Sequence, residues 1–353
     1  MKVSSIYCVS PKQSSNFNDL STKNNLNKLF YSQTFDTVNF QGRAAKVSEL
    51  LESVVKLTKK EASAKGYIPV SNAKSLHEAL SKAQEKKYIP DFLAEEHLKV
   101  LNEPRVKIIL MSDIKLDKTL ENNWTPIETF GGEFNGNGYE IAGLRINLPS
   151  ENNVGMFRSV KNAQIENLIL TDVEVKGGKN TGALIGVNNY NFNNVSETRQ
   201  NLPIQNCLVE GSVTGTENVG GIVGDINNAI VKSCVSKIDV TGDLNVGGII
   251  GANNYSKTFD CVSKAKIIGN YRVGGLVGFN VVSRVENCSS EVDISGNRFI
   301  GGIVGYDYWS NIKNCKSKGT LAGKEFIGGI VGSKTDISEI TDCASNCNLH
   351  IKP

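Results

Sequence analysis

The sequence predicts an all-β solenoid, a parallel β-helix with 27-residue coils, and three observations predict it. The stretch Val219-Gly220-Gly221-Ile222-Val223-Gly224 returns in closely similar form at 246–251, 273–278, 300–305 and 327–332, each copy 27 residues after the last. Cysteines keep the same interval: Cys207, Cys234, Cys261, Cys288 and Cys315 are 27 apart, and Cys343 follows after 28. Past each cysteine, small or apolar residues alternate, as in Ile238 with Val240 and Val292 with Ile294, before a glycine closes the segment. Fixed-period self-similarity marks a chain whose units bury their apolar faces against one another.

Two looser copies lie upstream, at Thr181-Gly182-Ala183-Leu184-Ile185-Gly186 and Val154-Gly155-Met156-Phe157. The step from Gly155 to Gly182 is again 27, whereas Gly182 to Gly220 is 38, which implies an 11-residue insertion in that coil. A 27-residue coil has room for three short strands and three turns. The Val-Gly-Gly-Ile-Val-Gly stretch is then one strand bounded by glycines. An apolar residue precedes most cysteines by three positions (Ile204, Val231, Val285, Ile312, Ile340), and in the Cys261 copy Phe259 takes that role from two positions away. A cysteine column at one repeat position reads as small apolar filler with free thiols. A straight column does not supply the four convergent ligands of a zinc site, so no metal is expected.

Composition excludes several functions. A net charge of +3 over 353 residues gives no basic footprint for nucleic acid. No run approaches the ~20 apolar residues of a membrane span. The opening Met1 to Cys8 lacks the apolar core of a secretory signal. Only three histidines occur, His77, His97 and His350, with no metal-binding spacing, and they read as structural.

In chain order, residues 1–42 are rich in Ser, Asn and Thr and are expected to be a disordered tail. Residues 43–105 are expected to be a helical segment and cap. Ala44 to Lys60 carries Val47, Leu50, Leu51 and Val54 at helical spacing, with Leu57 continuing the stripe, and is expected to pack on its own solenoid. Ser71 or Asn72 caps a second helix through about Gln84, and Pro90 opens a third through about Leu101. The β-helix is assigned to 106–353. It begins with the strand from Val106 to Leu110, running on to Asp113 through Leu116, and Asn135-Gly136-Asn137-Gly138 marks a tight turn between strands. The helices of 72–101 cover one open end, where a bare coil would leave backbone groups unpaired.

The order of an aspartate-containing strand, Trp124-Thr125-Pro126-Ile127, the Phe130-Gly131-Gly132-Glu133-Phe134-Asn135-Gly136-Asn137-Gly138 turn and the Val-Gly-Gly-Ile-Val-Gly repeats resembles the GLUG-motif proteins of bacteria, over roughly 67–353. The resemblance implies a right-handed parallel β-helix with an N-terminal α-helical cap. It also implies an adhesin-like setting at the cell surface or in secretion. The motif occurs beside the catalytic domain of immunoglobulin A1-cleaving metallopeptidases, but no metallopeptidase signature is present here.

Two solvent columns lie three and five residues past each cysteine. Glu210, Lys237, Lys264, Glu291 and Lys318 form the first, and Asp239, Lys266 and Asp293 fall in the second. Both are expected to be salt-linked ladders. Asp225 and Asp307 share a loop region three coils apart, too far for a catalytic pair. The best binding candidates are the turns four residues past each motif's last glycine. Those positions hold Tyr190, Asn228, Tyr255, Val282, Trp309 and Asp336, with Phe192, Phe279, Tyr306 and Tyr308 nearby, and the candidate ligand-binding set is Tyr190, Tyr255, Tyr306, Asp307, Tyr308 and Trp309. Aromatic rings among amides and carboxylates suit sugar rings or protein surfaces, and the insertion from Tyr190 to Leu202 lengthens a loop on this side. The alternative is that these rings only shield the turn.

The sequence therefore points to a non-enzymatic binding or adhesion module for glycan or protein surfaces, with no catalytic residue, no cofactor, no nucleic-acid partner and an open oligomeric state. Two other readings stay open: a polysaccharide-processing lyase or hydrolase on the same fold, and a structural spacer with partners held by residues 1–60.

Overall fold

The computed structural model describes residues 51, 54–85, 105–188 and 203–353. The expected tail at 1–42, the third helix at 90–101 and the insertion at 190–202 lie outside the described residues.

The chain forms a parallel β-solenoid, and among the described residues its strands fall into four sheets, of 10, 10, 6 and 8 strands. One coil shows the pattern. A short strand, Ile230–Lys232, belongs to sheet I, and the long strand Val235–Thr241 to sheet II. Leu244–Gly247 belongs to sheet III and Ile250–Asn254 to sheet IV. The coil thus holds four strands where three were expected. The glycine-rich stretch is not one strand but two, broken at Gly248-Ile249. That pair turns the chain from one sheet to the next.

Stacking follows the period. Val235 pairs with Val262, which pairs with Ser289, and Gly247 pairs with Gly274, which pairs with Gly301. The insertion leaves the ladder intact, because Gly182 still pairs with Gly220 and Ile185 with Val223. One continuous core runs from Val70 to Leu321, filled by Ile, Val, Leu and the cysteine column. Cys207, Cys234, Cys261, Cys288 and Cys315 are free and buried. Their thiols donate to the carbonyls two residues back, at 3.3 Å in Cys207, Cys234, Cys261 and Cys315. In the Cys261 coil the core position is taken by Thr258, which pairs with Val231 and Val285. Phe259 faces outward beneath Lys232, 5.2 Å away, because side chains alternate along a strand and only the residue three before the cysteine points in.

The N-terminal end is closed by helix. Helix α1, Lys59–Ala64, starts at a Thr58 capping box, and helix α2, Ala73–Glu85, places Leu76, Ala79 and Leu80 in the core beside Phe130. Asn72 caps α2 by accepting from the Ser75 amide at 2.9 Å. The expected helix from 44 to 60 does not run through: Val54 to Thr58 is non-helical, and the Thr58 side chain opens a new helix at Lys59. One residue of the expected apolar stripe docks on this chain. Leu51 is buried against Leu208, Val235 and Val262 on the outer face of sheet II, and Lys56 lies 3.6 Å over the Tyr139 ring. Sheet I begins earlier than position 106, at Tyr67–Val70, which pairs with Lys107–Leu110. Pro69 is tolerated there because it lies on the outermost strand. The strand at 106–110 and the one at Ile114–Lys115 are separate members of sheets I and II. The Asn-Gly-Asn-Gly run is the corner where the chain passes from sheet I to sheet II, with φ of 54° at Asn137 and 71° at Gly138.

Candidate functional site

Sheet IV and the corner after it carry the candidate residues. Along its strands, Asp225, Ala252, Phe279 and Tyr306 share one outward column. Ile226, Asn253, Asn280 and Asp307 share the next, and these four are fully buried. Asn227, Asn254, Val281 and Tyr308 return to the outside. The corner residues Asn228, Tyr255, Val282 and Trp309 follow, all in the left-handed region with φ between 45° and 56°.

This alternation divides the predicted set. Tyr255 (50% exposed), Tyr308 (37%) and Trp309 (51%) stand at the corner. The Tyr308 and Trp309 rings stack at 5.0 Å with 10° between planes. Tyr255 and Trp309 are two coils apart, roughly 10 Å, with exposed Val282 between them. Tyr306 faces out on the same strand but nearer sheet III. Tyr190 lies outside the described residues.

Asp307 points the other way. Placed among the candidate ligand contacts, it is instead completely buried, one residue out of phase with Tyr306 and Tyr308. Asn253 Nδ2 donates to Asn280 Oδ1 at 2.7 Å, and Asn280 Nδ2 donates to Asp307 Oδ1 at 2.6 Å, so Asp307 ends an internal amide ladder. Burial pushes its carboxyl above the ordinary aspartate range, partly offset by Ser338, Asn280 and Ser310. The folded state then holds this proton more tightly than the unfolded chain. Its stability is greatest below the unfolded aspartate value near 3.9 and falls as pH climbs from there through the raised value. Asp307→Asn is expected to stabilise the protein at pH 7 by roughly 0.5–2 kcal/mol, with the gain vanishing below about pH 4. Urea unfolding at the two pH values checks this, and an equal effect at both defeats it.

The carboxylate pairs offer no catalytic geometry. Asp225 is outward and accepts from Asn254 Nδ2 at 2.9 Å, so it shares no face with Asp307. Asp239 and Asp293 do not form the expected salt ladder through Lys266. Each carboxylate accepts instead from a backbone amide of the next coil, those of Lys266 at 3.1 Å and Thr320 at 3.2 Å. The Glu/Lys column does pair, Glu291 with Lys318 at 2.7 Å. Among the described residues no cluster of His, Cys, Asp or Glu could hold a metal ion.

A second set of residues was missed. Along sheet III and its lead-in, Asn153, Asn180, Asn218 and Asn245 occupy one left-handed column, and the last three each donate to the one before, at 2.7–2.8 Å. The next three coils replace asparagine with Arg272, Phe299 and Phe326, at φ of 58°, 59° and 55°. The Arg272 guanidinium lies 4.3 Å from the Phe279 ring centre and 5.2 Å from those of Tyr271 and Tyr306. Phe299 meets Tyr306 at 5.3 Å and Tyr271 at 4.9 Å. The signal was present in the repeats: the residue two before the glycine pair changes type in the later copies.

The comparisons with known proteins agree with this architecture. The family model described as "The GLUG motif" matches residues 269–295. A stretch of 104 residues, 29% of this chain, is 29% identical to Halomucin of Haloquadratum walsbyi, and it spans 1% of that protein's length. Among solved structures, a Bacteroides ovatus protein proposed as an immunoglobulin A1 protease superposes with a TM-score of 0.55 at 16% identity, over 82% of this chain and 85% of its own. At that identity the likeness is one of fold. The motif match covers one 27-residue coil of a parallel β-solenoid whose other coils repeat the same spacing, so the chain is similar to GLUG-motif proteins over that coil.

Proposed function

We propose that this chain is a non-enzymatic binding module that recognises glycan surfaces through the corner formed by Tyr255, Val282, Tyr308 and Trp309. One observation carries the reading. The corner demands a left-handed backbone, which asparagine adopts at low cost and bulky or β-branched residues resist. Asn228 satisfies that demand in one coil, and the next three coils hold Tyr255, Val282 and Trp309 there, all at positive φ and all exposed. Stability alone favours asparagine at each position. Exposed rings held against that preference, Tyr255 and Trp309, the latter stacked on Tyr308, suit the apolar faces of pyranose rings.

Binding rather than hydrolysis is favoured because the carboxylates of the two candidate pairs face apart or are engaged by backbone amides. Among the described residues no helix is long and apolar enough to cross a membrane.

Trp309→Ala is expected to weaken glycan binding about twofold to tenfold, the loss of roughly 0.5–1.5 kcal/mol of stacking, while leaving stability within about 0.5 kcal/mol. A glycan array read beside circular dichroism checks both. Unchanged binding in the folded variant would remove the corner from recognition.

A further inference from the structure

Sheet III and sheet IV meet on one outer face, and the side chains there change character together. Through the coil of Asn245 the face is an asparagine ladder beside small or acidic neighbours, Asp225 and Ala252. From the coil of Arg272 onward it becomes rings and guanidinium groups. Arg272 is half-buried and boxed by Tyr271, Phe279 and Tyr306. Its Nη1 reaches Asn245 Oδ1 only at 3.4 Å, and its Nε is buried with no hydrogen-bond partner. Among the described residues it makes no ion pair, whereas Arg298, one coil on, pairs with Glu325 at 3.1 Å.

A guanidinium that lacks a carboxylate and is screened from water by rings is set to take an external anion. Its planar fork matches carboxylate and sulfate oxygens, and the surrounding rings offer faces for sugar C–H groups. Tyr306 joins this box to the corner, because Tyr306 and Tyr308 point out from the same strand two residues apart, roughly 7 Å.

We propose that Arg272, with Tyr271, Phe279, Phe299 and Tyr306, forms the anion-reading subsite for an acidic saccharide, one whose ring carries a carboxylate or a sulfate. This rests on the glycan-binding reading above and names the class of glycan. The saccharide's ring lies on Tyr306 and its charged group meets Arg272.

The test uses the full chain against polygalacturonate (carboxylate), dextran sulfate (sulfate), neutral dextran and poly-glutamate, by surface plasmon resonance at two salt concentrations. Arg272→Asn is the decisive variant because it extends the asparagine ladder by one rung and is expected to melt no lower than wild type. The expected result is tighter binding to one or both acidic saccharides than to dextran, weakened by salt and weakened about tenfold to a hundredfold by Arg272→Asn. The polymer that binds distinguishes carboxylate from sulfate. Equal binding by Arg272→Asn overturns the proposal, as does poly-glutamate binding as tightly as the saccharides, which would mark a plain charge sensor. Binding to dextran alone, lost in Trp309→Ala, overturns this subsite and keeps the corner. Acidic binding lost in Arg272→Asn but intact in Trp309→Ala keeps the subsite and removes the corner. No binding to any polymer overturns both.

Discussion

Gly301→Ala is expected to destabilise the solenoid by at least about 3 kcal/mol, the upper range for forcing atoms into a packed interior. Gly301 ends a sheet III strand, pairs with Gly274 and Gly328, and is fully buried. A methyl group there would overlap the Val304 carbonyl oxygen and sit 2.8 Å from the Gly332 nitrogen. All of its nearest neighbours are backbone, so no side-chain rotation relieves the overlap, and the strand must leave its ladder. Gly66 supplies the contrast. Its φ of 78° strains any other residue, but nothing lies within 4 Å of an added methyl. Gly66→Ala should therefore cost only the conformational penalty, about 1–2 kcal/mol. Urea midpoints of the two variants compare them directly. Gly301→Ala unfolding no earlier than Gly66→Ala would show that the chain can bend around the methyl and that the glycine is not sterically required. Because each coil touches chiefly its neighbours, amide exchange should accelerate first in the coils on either side of residue 301.

Asn280→Ala is expected to cost about 3 kcal/mol, from two buried polar groups stranded at roughly 1–3 kcal/mol each. Asn280 is fully buried between Asn253 and Asp307, accepting from one and donating to the other. Its removal leaves the Asn253 amide without its acceptor and takes a donor from a carboxylate already pushed up by burial. The direction with pH follows. Losing that donor raises the folded-state value of Asp307 further, so the variant binds its proton more tightly still. Its deficit relative to wild type should therefore grow as pH rises above the ordinary aspartate value near 3.9 and shrink below it. Unfolding free energies at pH 3.5 and pH 7 measure this. A deficit that is the same at both would mean the ladder contributes packing alone. The double variant Asn280→Ala with Asp307→Asn should lose most of the pH dependence and keep most of the pH-independent deficit, which isolates the charge from the cavity.

Much of the architecture is legible in the chain because a solenoid repeats its contacts. Every stacked column contains one position from each copy, so the 27-residue spacing of glycines and cysteines fixes which residues meet before any distance is known. The period gave the parallel stack, the buried thiol column and the undisturbed register across the insertion, and the Asn72 cap gave the helix at Ala73–Glu85. The exposed corner at Tyr255 and Trp309 was legible for the same reason.

What the repeat alone left open concerns phase within a coil and neighbours across it. The period assigns residues to columns but does not say where the chain bends, so the glycine pair read as the edge of one strand when it is the turn between two. It does not say which of two adjacent residues points inward, so Asp307 was grouped with Tyr306 and Tyr308, and Phe259 stood in for Thr258. Strand alternation, fixed only once the bend is placed, reverses both. The tertiary structure also decided what lies beside what on the outside. Arg272 and Phe279 are seven residues apart in sequence on different sheets, and their contact exists because the glycine turn folds sheet III against sheet IV at that corner. A 27-residue period records what stacks above and below; the angle of the turn determines what meets sideways, and the candidate saccharide face is made of those sideways contacts.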